Sequence, residues 1–210
     1  MLQGVVVMKK EYLNRTFLKS IYIQGFRCFK NEIHIVFSPE LNAILGPNKV
    51  GKTSILNAIR WCLSKNKPNV NDFFSGNEDN PAMDFAEVEL TFSKVAKQNS
   101  DITIKRRIEK SGECKIMDNR FYNGKRINYK ELNKALDLEK LSKSFFLFDE
   151  IDLSLDDVNY PVFIEMLNQV KKNTQCFLVT KKKESCNECN TMIGVTAEDD
   201  GFPKIIELHM

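Results

Sequence analysis

Asn42 to Leu63, NAILGPNKVGKTSILNAIRWCL, is the stretch that decides the fold. Gly46-Pro47-Asn48-Lys49-Val50-Gly51-Lys52-Thr53 fills every position of G-x-x-x-x-G-K-[ST], and it stands where that chemistry needs it, after an apolar run and before a helical pattern. Ile55, Leu56, Ile59 and Cys62 or Leu63 recur at helical spacing, so a helix over Lys52 to Leu63 opens directly out of the glycine loop. Loop N–H groups and the positive end of that helix can hold β- and γ-phosphates. Gly46, Asn48, Lys49, Val50, Gly51, Lys52, Thr53 and Ser54 are therefore the candidate nucleotide-binding residues, with Lys52 adding a point charge and the Thr53 hydroxyl a Mg2+ ligand. Lys49 occupies a loop position that usually favours glycine. If the backbone there takes φ > 0, the cost is on the order of 1 kcal/mol, and none of the binding groups is removed. A glycine turn that merely links strand to helix would use none of those groups.

Outward from this stretch, FLKSIYIQ (17–24), EIHIVF (32–37) and NAILG (42–46) read as strands, the last two separated by the turn-rich SPEL. SKNKPNVNDFFSGNEDNP after the helix is loaded with Asn, Pro and Gly and reads as a mobile loop. FAEVELTF from Phe85, DITIKRRI from Asp101 and ECKIMDNRFYNGKRI from Glu113 form an antiparallel layer, with Asn123-Gly124 as a hairpin signal. NYKELNKAL suits a short helix. SFFLFDE, Ser144 to Glu150, carries the continuous apolar run expected of a fully buried parallel strand. A helix over about Asp157 to Lys172 and a buried strand QCFLVT complete a βαβ pattern, and residues 191–208 close as a pair of strands. The fold class is α/β, a mixed sheet around the phosphate loop with an antiparallel β layer. No internal repeat and no coiled-coil heptad run occurs.

Composition narrows the setting more than the function. The chain is 42% hydrophobic and 28% charged, an ordinary globular balance that argues against wholesale disorder. Val5 to Met8 is too short an apolar run for a signal peptide core or a membrane span, which points to a cytosolic or nuclear location and no membrane partner. Six cysteines without an export signal read as reduced packing residues. Cys186 and Cys189 form one C-x-x-C, but no second pair or histidine follows at zinc-finger spacing. A net charge of +3 neither demands nor excludes nucleic acid. KRRIEK, KKNTQ and KKKE are the cation clusters through which DNA could be touched.

The second chemical element is FFLFDEID, which delivers Asp149 and Glu150 to the end of a strand. Asp149 is placed to hold Mg2+ opposite Thr53, and Glu150, the candidate catalytic residue, to polarise the attacking water. An acidic pair ending a strand is by itself commonly a solvated turn. The full phosphate loop upstream reverses that reading, because a bound Mg–nucleotide needs an anionic partner on a neighbouring strand.

FLKSIYIQGFRCFKN, LNAILGPNKVGKTSILNAIRWCL, ITIKRRI, YNGKRINYKEL, FFLFDEIDLSLDD and FLVTKKKE together resemble the ATPase head of the structural maintenance of chromosomes (SMC) family, over most of residues 17–183. The ending NTMIGVTAEDDGFPKIIEL is similar to that of the first cohesin SMC subunit. The resemblance implies an ABC-type P-loop ATPase head that binds ATP and Mg2+, works with a second SMC head and a kleisin-type subunit, and sits on chromosomes, in the nucleus or in a prokaryotic cytosol. It divides the chain into an extension (1–16), an N-terminal head segment with the phosphate loop (17–137) and a C-terminal head segment with the acidic strand (138–210). Asp156 matches the family's dimer-contact loop and Arg60 falls near its arginine loop. The LSGG-type signature is missing, Leu141-Ser142 being at most a stub; no glutamine loop is identifiable, and Lys181 stands where many ABC proteins carry a switch histidine. The half-site implied binds nucleotide and turns it over very slowly without a partner's signature. A stand-alone ABC-class DNA-repair ATPase and a nucleotide-gated interaction module without catalysis are the alternatives.

Overall fold

Apolar residues alternating along β1 (Phe17–Gln24) put Ile21 and Ile23 in the interior and Tyr22 toward the outside, the period-two pattern of a strand with one covered face. β2 (Ile33–Val36), β4 (Phe85–Ser93), β5 (Ile102–Ser111), β6 (Lys115–Tyr122) and β7 (Lys125–Ile127) join it in a wholly antiparallel sheet of order β2-β1-β4-β5-β6-β7. The computed structural model describes residues 16–74, 76, 80–93, 100–111, 115–197 and 201–209. Residues 1–15, which make up almost all of the expected extension, lie outside them, as do Glu113 and Cys114 at the start of the third expected strand. The hairpin turns at Asn123 and Gly124, both at positive φ as an Asn-Gly turn requires.

β3 (Leu41–Leu45), β8 (Phe145–Asp149), β9 (Gln175–Thr180), β10 (Thr191–Ala197) and β11 (Pro203–His209) form the mixed sheet, of order β11-β10-β3-β9-β8. β3 is thus flanked by strands from far along the chain, parallel to both β9 and β10. α1 (Lys52–Leu63) packs between the two sheets, its Ile55, Leu56, Ala58 and Ile59 in one core with Ile44, Phe177 and Val179. The other face of the mixed sheet is covered by α4 (Asn159–Val170), whose Phe163 and Leu167 meet Leu41, Ala43, Cys176 and Leu178. Gln175 ties the sheets together: wholly buried, it accepts from Leu18 N at 2.8 Å and donates to Leu18 O and Ser38 O. α2 (Tyr129–Leu136) starts on an Asn128–Glu131 capping box, and α3 (Leu138–Ser142) leads into β8.

Three expectations are corrected. β8 is parallel but not fully buried. Among the described strands it pairs only with β9, and Phe146 is 46% exposed at that edge, because an apolar run marks a strand without revealing how many neighbours cover it. The connection after α1 is pinned rather than loose over residues 64–74: Asp72 is buried and accepts the Trp61 indole N–H at 3.0 Å, Val70–Asp72 form a 3-10 turn, and Phe73 bridges to Phe26.

KRRIEK, the third, is not a free cationic surface. Lys105 pairs with Glu87 and Glu89, and Arg107 with Glu87 and Glu109. Arg106 has no exposure at all; it grips Asp118 with two bonds, at 3.0 and 2.7 Å, and lies 4.3 Å from the Trp61 ring. Of the described cysteines, Cys62, Cys176, Cys186 and Cys189 are free and buried, as packing residues are, while Cys114 lies outside the described residues. Burial pushes the Cys62 and Cys189 thiols up to about 12, which keeps them protonated and inert. Among the described residues no helix is long and apolar enough to cross a membrane.

Candidate nucleotide-binding site

β3 ends in a loop whose glycines are fixed by close approach. A Cβ at Gly46 would lie 2.0 Å from Val195 O, and one at Gly51 (φ +108) 2.8 Å from Cys28 Sγ and 3.1 Å from the Phe29 ring. The loop therefore wraps against the β1–β2 turn, and only glycine fits. Lys49 does take φ +66, the left-handed conformation anticipated as a cost. Lys49→Gly is expected to raise the unfolding free energy by about 1 kcal/mol, seen as a higher urea midpoint at constant slope; an unchanged midpoint would mean the backbone there is unstrained.

α1 begins at Gly51 with no side-chain cap and no acidic residue in its first turn. Its leading N–H groups have no intrahelical acceptor and carry the positive end of the helix dipole, a combination suited to an anion. The opposite end is closed by protein. Arg106 donates to Trp61 O at 2.8 Å, and Arg120 to Cys62 O at 3.0 Å and Ser64 O at 2.8 Å.

The phosphate loop borders an open hollow of about 490 Å3, lined by Asn48, Lys49, Gly51, Lys52, Thr53 and Ser54 together with Glu150, Lys181 and Cys28. Gly46 and Val50 shape the loop from behind, Val50 packing on the core. Lys52 is only 5% exposed and donates to Pro47 O at 2.6 Å, with Glu150 Oε1 3.7 Å away. The Thr53 hydroxyl donates to Asp149 Oδ1 at 3.1 Å across 96 residues of sequence. Glu150, at φ +53, directly follows β8 with its N–H bonded to Val179 O, and its carboxylate also meets Lys181 Nζ at 3.3 Å. Of the expected residues, Asn48, Lys49, Gly51, Lys52, Thr53, Ser54 and Glu150 thus line one hollow, and Asp149 is joined to it through Thr53.

Mg2+ fits this donor set. Among the described residues no cluster of three or more His, Cys, Asp or Glu could hold a metal unaided. A hydroxyl and one carboxylate side by side are what Mg2+ uses when phosphate oxygens and waters complete its shell. Cys28 also lines the hollow, though no motif in the sequence marks it. Burial raises its thiol pKa, opposed by a hydrogen bond with Ser54. Gly25 was the available signal: a Cβ there would lie 2.2 Å from Phe85 O, so the turn after β1 must fold tightly, and it carries Cys28 onto α1.

The model of the RecF/RecN/SMC N terminal domain family matches residues 17–144. The chromosome partition protein Smc of Mycoplasma pneumoniae is 33% identical over 129 residues, a match covering 56% of this chain and 13% of that protein. The SMC head domain from Thermotoga maritima superposes with a TM-score of 0.74 at 23% identity, covering 92% of this chain and 99% of the other. The Pyrococcus furiosus Smc head domain with an extended coiled coil, bound to the C-terminal domain of ScpA, gives 0.75 at 14% identity, with 92% and 96% covered. The first match thus spans a small part of a much longer relative, whereas the solved heads are matched almost end to end.

Proposed function

Because this chain belongs to the RecF/RecN/SMC N-terminal domain family, we propose that it is an SMC-type ATPase head that binds Mg–ATP and works in chromosome organisation. The observation that carries this reading is the Thr53–Asp149 contact at 3.1 Å, which puts a hydroxyl and a carboxylate beside the open end of α1. Gly46, Asn48, Lys49, Val50, Gly51, Lys52, Thr53 and Ser54 form the phosphate cradle, by N–H groups and by the Lys52 charge. Thr53 and Asp149 hold the metal side, and Glu150 orients the attacking water and takes its proton. Bound Mg2+ supplies charge neutralisation on the β- and γ-phosphates.

The site is half of one. A second head supplies the signature this sequence lacks, so turnover by the chain alone is very slow. A kleisin-type subunit is the further partner, in keeping with the ScpA-bound heads. The division at residues 137 and 138 belongs to the same proposal. DNA contact also belongs to it, recognisable by steep salt dependence, but the KRRIEK strand does not supply it. The finer assignment, the first cohesin SMC subunit in a nuclear setting, rests on the chain's ending alone; the bacterial relative favours a chromosomal location in general. The second reading is a nucleotide-gated interaction module without catalysis, favoured by the absent signature.

Calorimetric titration with ATP tests the binding step. Affinity is expected near the micromolar range with Mg2+ and to weaken roughly tenfold when EDTA is added or when Thr53→Ala or Asp149→Ala is introduced. Equal affinity in all four conditions would overturn the metal assignment, and no binding at all the whole reading. Turnover that stays flat with protein concentration but rises with a signature-bearing head supports the half-site. A rise with concentration alone supports a stand-alone ATPase.

A further inference from the structure

Behind Glu150 lies a carboxylate that the phosphate chemistry does not use. Asp152, in the 3-10 turn Ile151–Ser154, is completely buried. Its Oδ2 accepts from Thr180 Oγ1 at 2.5 Å and from Ser185 Oγ at 2.6 Å, while Oδ1 has no hydrogen-bond partner among the described residues. Tyr160 of α4 extends the chain through its 2.9 Å contact with Ser185. The Thr180 oxygen in turn accepts the Lys182 N–H at 2.9 Å. A buried carboxylate with one idle oxygen costs stability that an apolar side chain would not, and such a group in a folded protein calls for a reason.

Its position offers one. Asp152 lies just beyond Glu150, and the residues it and Thr180 hold, 180 and 182, flank Lys181. One carboxylate therefore ties the turn that carries Glu150 to the strand end that carries Lys181. The Lys181–Glu150 pair is itself loose: the two side chains are 37% and 35% exposed, and such pairs contribute little. A terminal phosphate, with its greater charge, can outbid Glu150 for Lys181.

We propose that Asp152 is a positioning residue: through Thr180 and Ser185 it aims Lys181 into the phosphate hollow, so that Lys181 exchanges Glu150 for the terminal phosphate of a nucleoside triphosphate. This rests on the nucleotide reading above and deepens it, assigning the preference for triphosphate over diphosphate to the carboxylate–hydroxyl lock. The exchange also frees Glu150 from Lys181 when a third phosphate is present, leaving it only the 3.7 Å approach of Lys52.

The test is the ratio of ATP to ADP affinity, measured by calorimetry with Mg2+, in the wild type, Asp152→Asn, Thr180→Val, Ser185→Ala, Lys181→Met and the Asp152→Asn/Lys181→Met double variant. The ratio is expected to fall roughly fivefold in Asp152→Asn and in Lys181→Met, with ADP affinity unchanged, and the double variant to fall no further than Lys181→Met alone. Thr180→Val and Ser185→Ala move the ratio the same way without removing the buried charge, and they carry the test if Asp152→Asn does not fold. Equal loss for ATP and ADP, or a double variant that sums the single losses, overturns the proposal. A wild type that binds neither nucleotide overturns the function along with it; a discriminating wild type with unaltered variants overturns this assignment alone.

Discussion

Replacing Lys52 with alanine is expected to weaken ATP binding at least about 100-fold, the equivalent of about 3 kcal/mol of charge-assisted hydrogen bonding lost in a sheltered site. Among the described residues Lys52 is the lysine whose ammonium is both buried and built into the loop, 5% exposed and bonded to Pro47 O at 2.6 Å. Because that bond also braces the loop, alanine could act by collapsing it. Lys52→Met separates the two effects, since it keeps the buried stem and removes only the charge. Both variants should lose affinity alike while their melting temperatures stay close to the wild type. Binding by Lys52→Met within threefold of wild type would show that the phosphate is held by the backbone alone.

Arg106→Ala is the largest expected loss of stability, about 3 kcal/mol, because the guanidinium is wholly buried although Asp118 is not, and its removal both empties a packed site and strands groups it satisfied. All five guanidinium N–H donors find acceptors: two on Asp118, and one each on Trp61 O, Ser64 Oγ and Asn66 O. The change therefore removes both bonds to Asp118 and the donor to Asn66 O, and opens a void under the Trp61 ring, while Trp61 O keeps the Ser64 N–H and hydroxyl. Domains of this size have only about 5–15 kcal/mol in total, so about a fifth or more of the fold's stability is at stake. Urea denaturation reads it directly. Arg106→Lys should recover less than half, since an ammonium cannot make the planar fork of contacts. A loss under 1 kcal/mol would show that water satisfies these groups as well as the guanidinium does.

The elements that position the phosphate cradle could be read from the sequence, since each rests on local signals. The period of Ile55, Leu56 and Ile59 set α1, Asn123-Gly124 set the hairpin, and four apolar residues before Asp149 set β8. Three features depended on neighbours and could not be read that way. Arg106 and Asp118 lie twelve positions apart and pair across β5 and β6, so a run that looks cationic is neutral in space. The exposure of Phe146 follows from the order of strands, which no periodicity records. Asp152 reads as one more acidic residue in a turn, and its burial comes from Thr180 and Ser185, 28 and 33 residues on.

The place of β3 between β9 and β10 bears on how the chain is made. A ribosome finishes the phosphate loop early, yet the strand that anchors it has no parallel neighbour until residues 175–180 and then 191–194 have left the exit tunnel. Long-range parallel pairing must await that delivery and bears the loop-closure entropy of everything between. During translation the apolar strand Leu41–Leu45 stays open to wrong partners, so nascent chains stalled before Gln175 should attract chaperones and present no competent cradle to nucleotide.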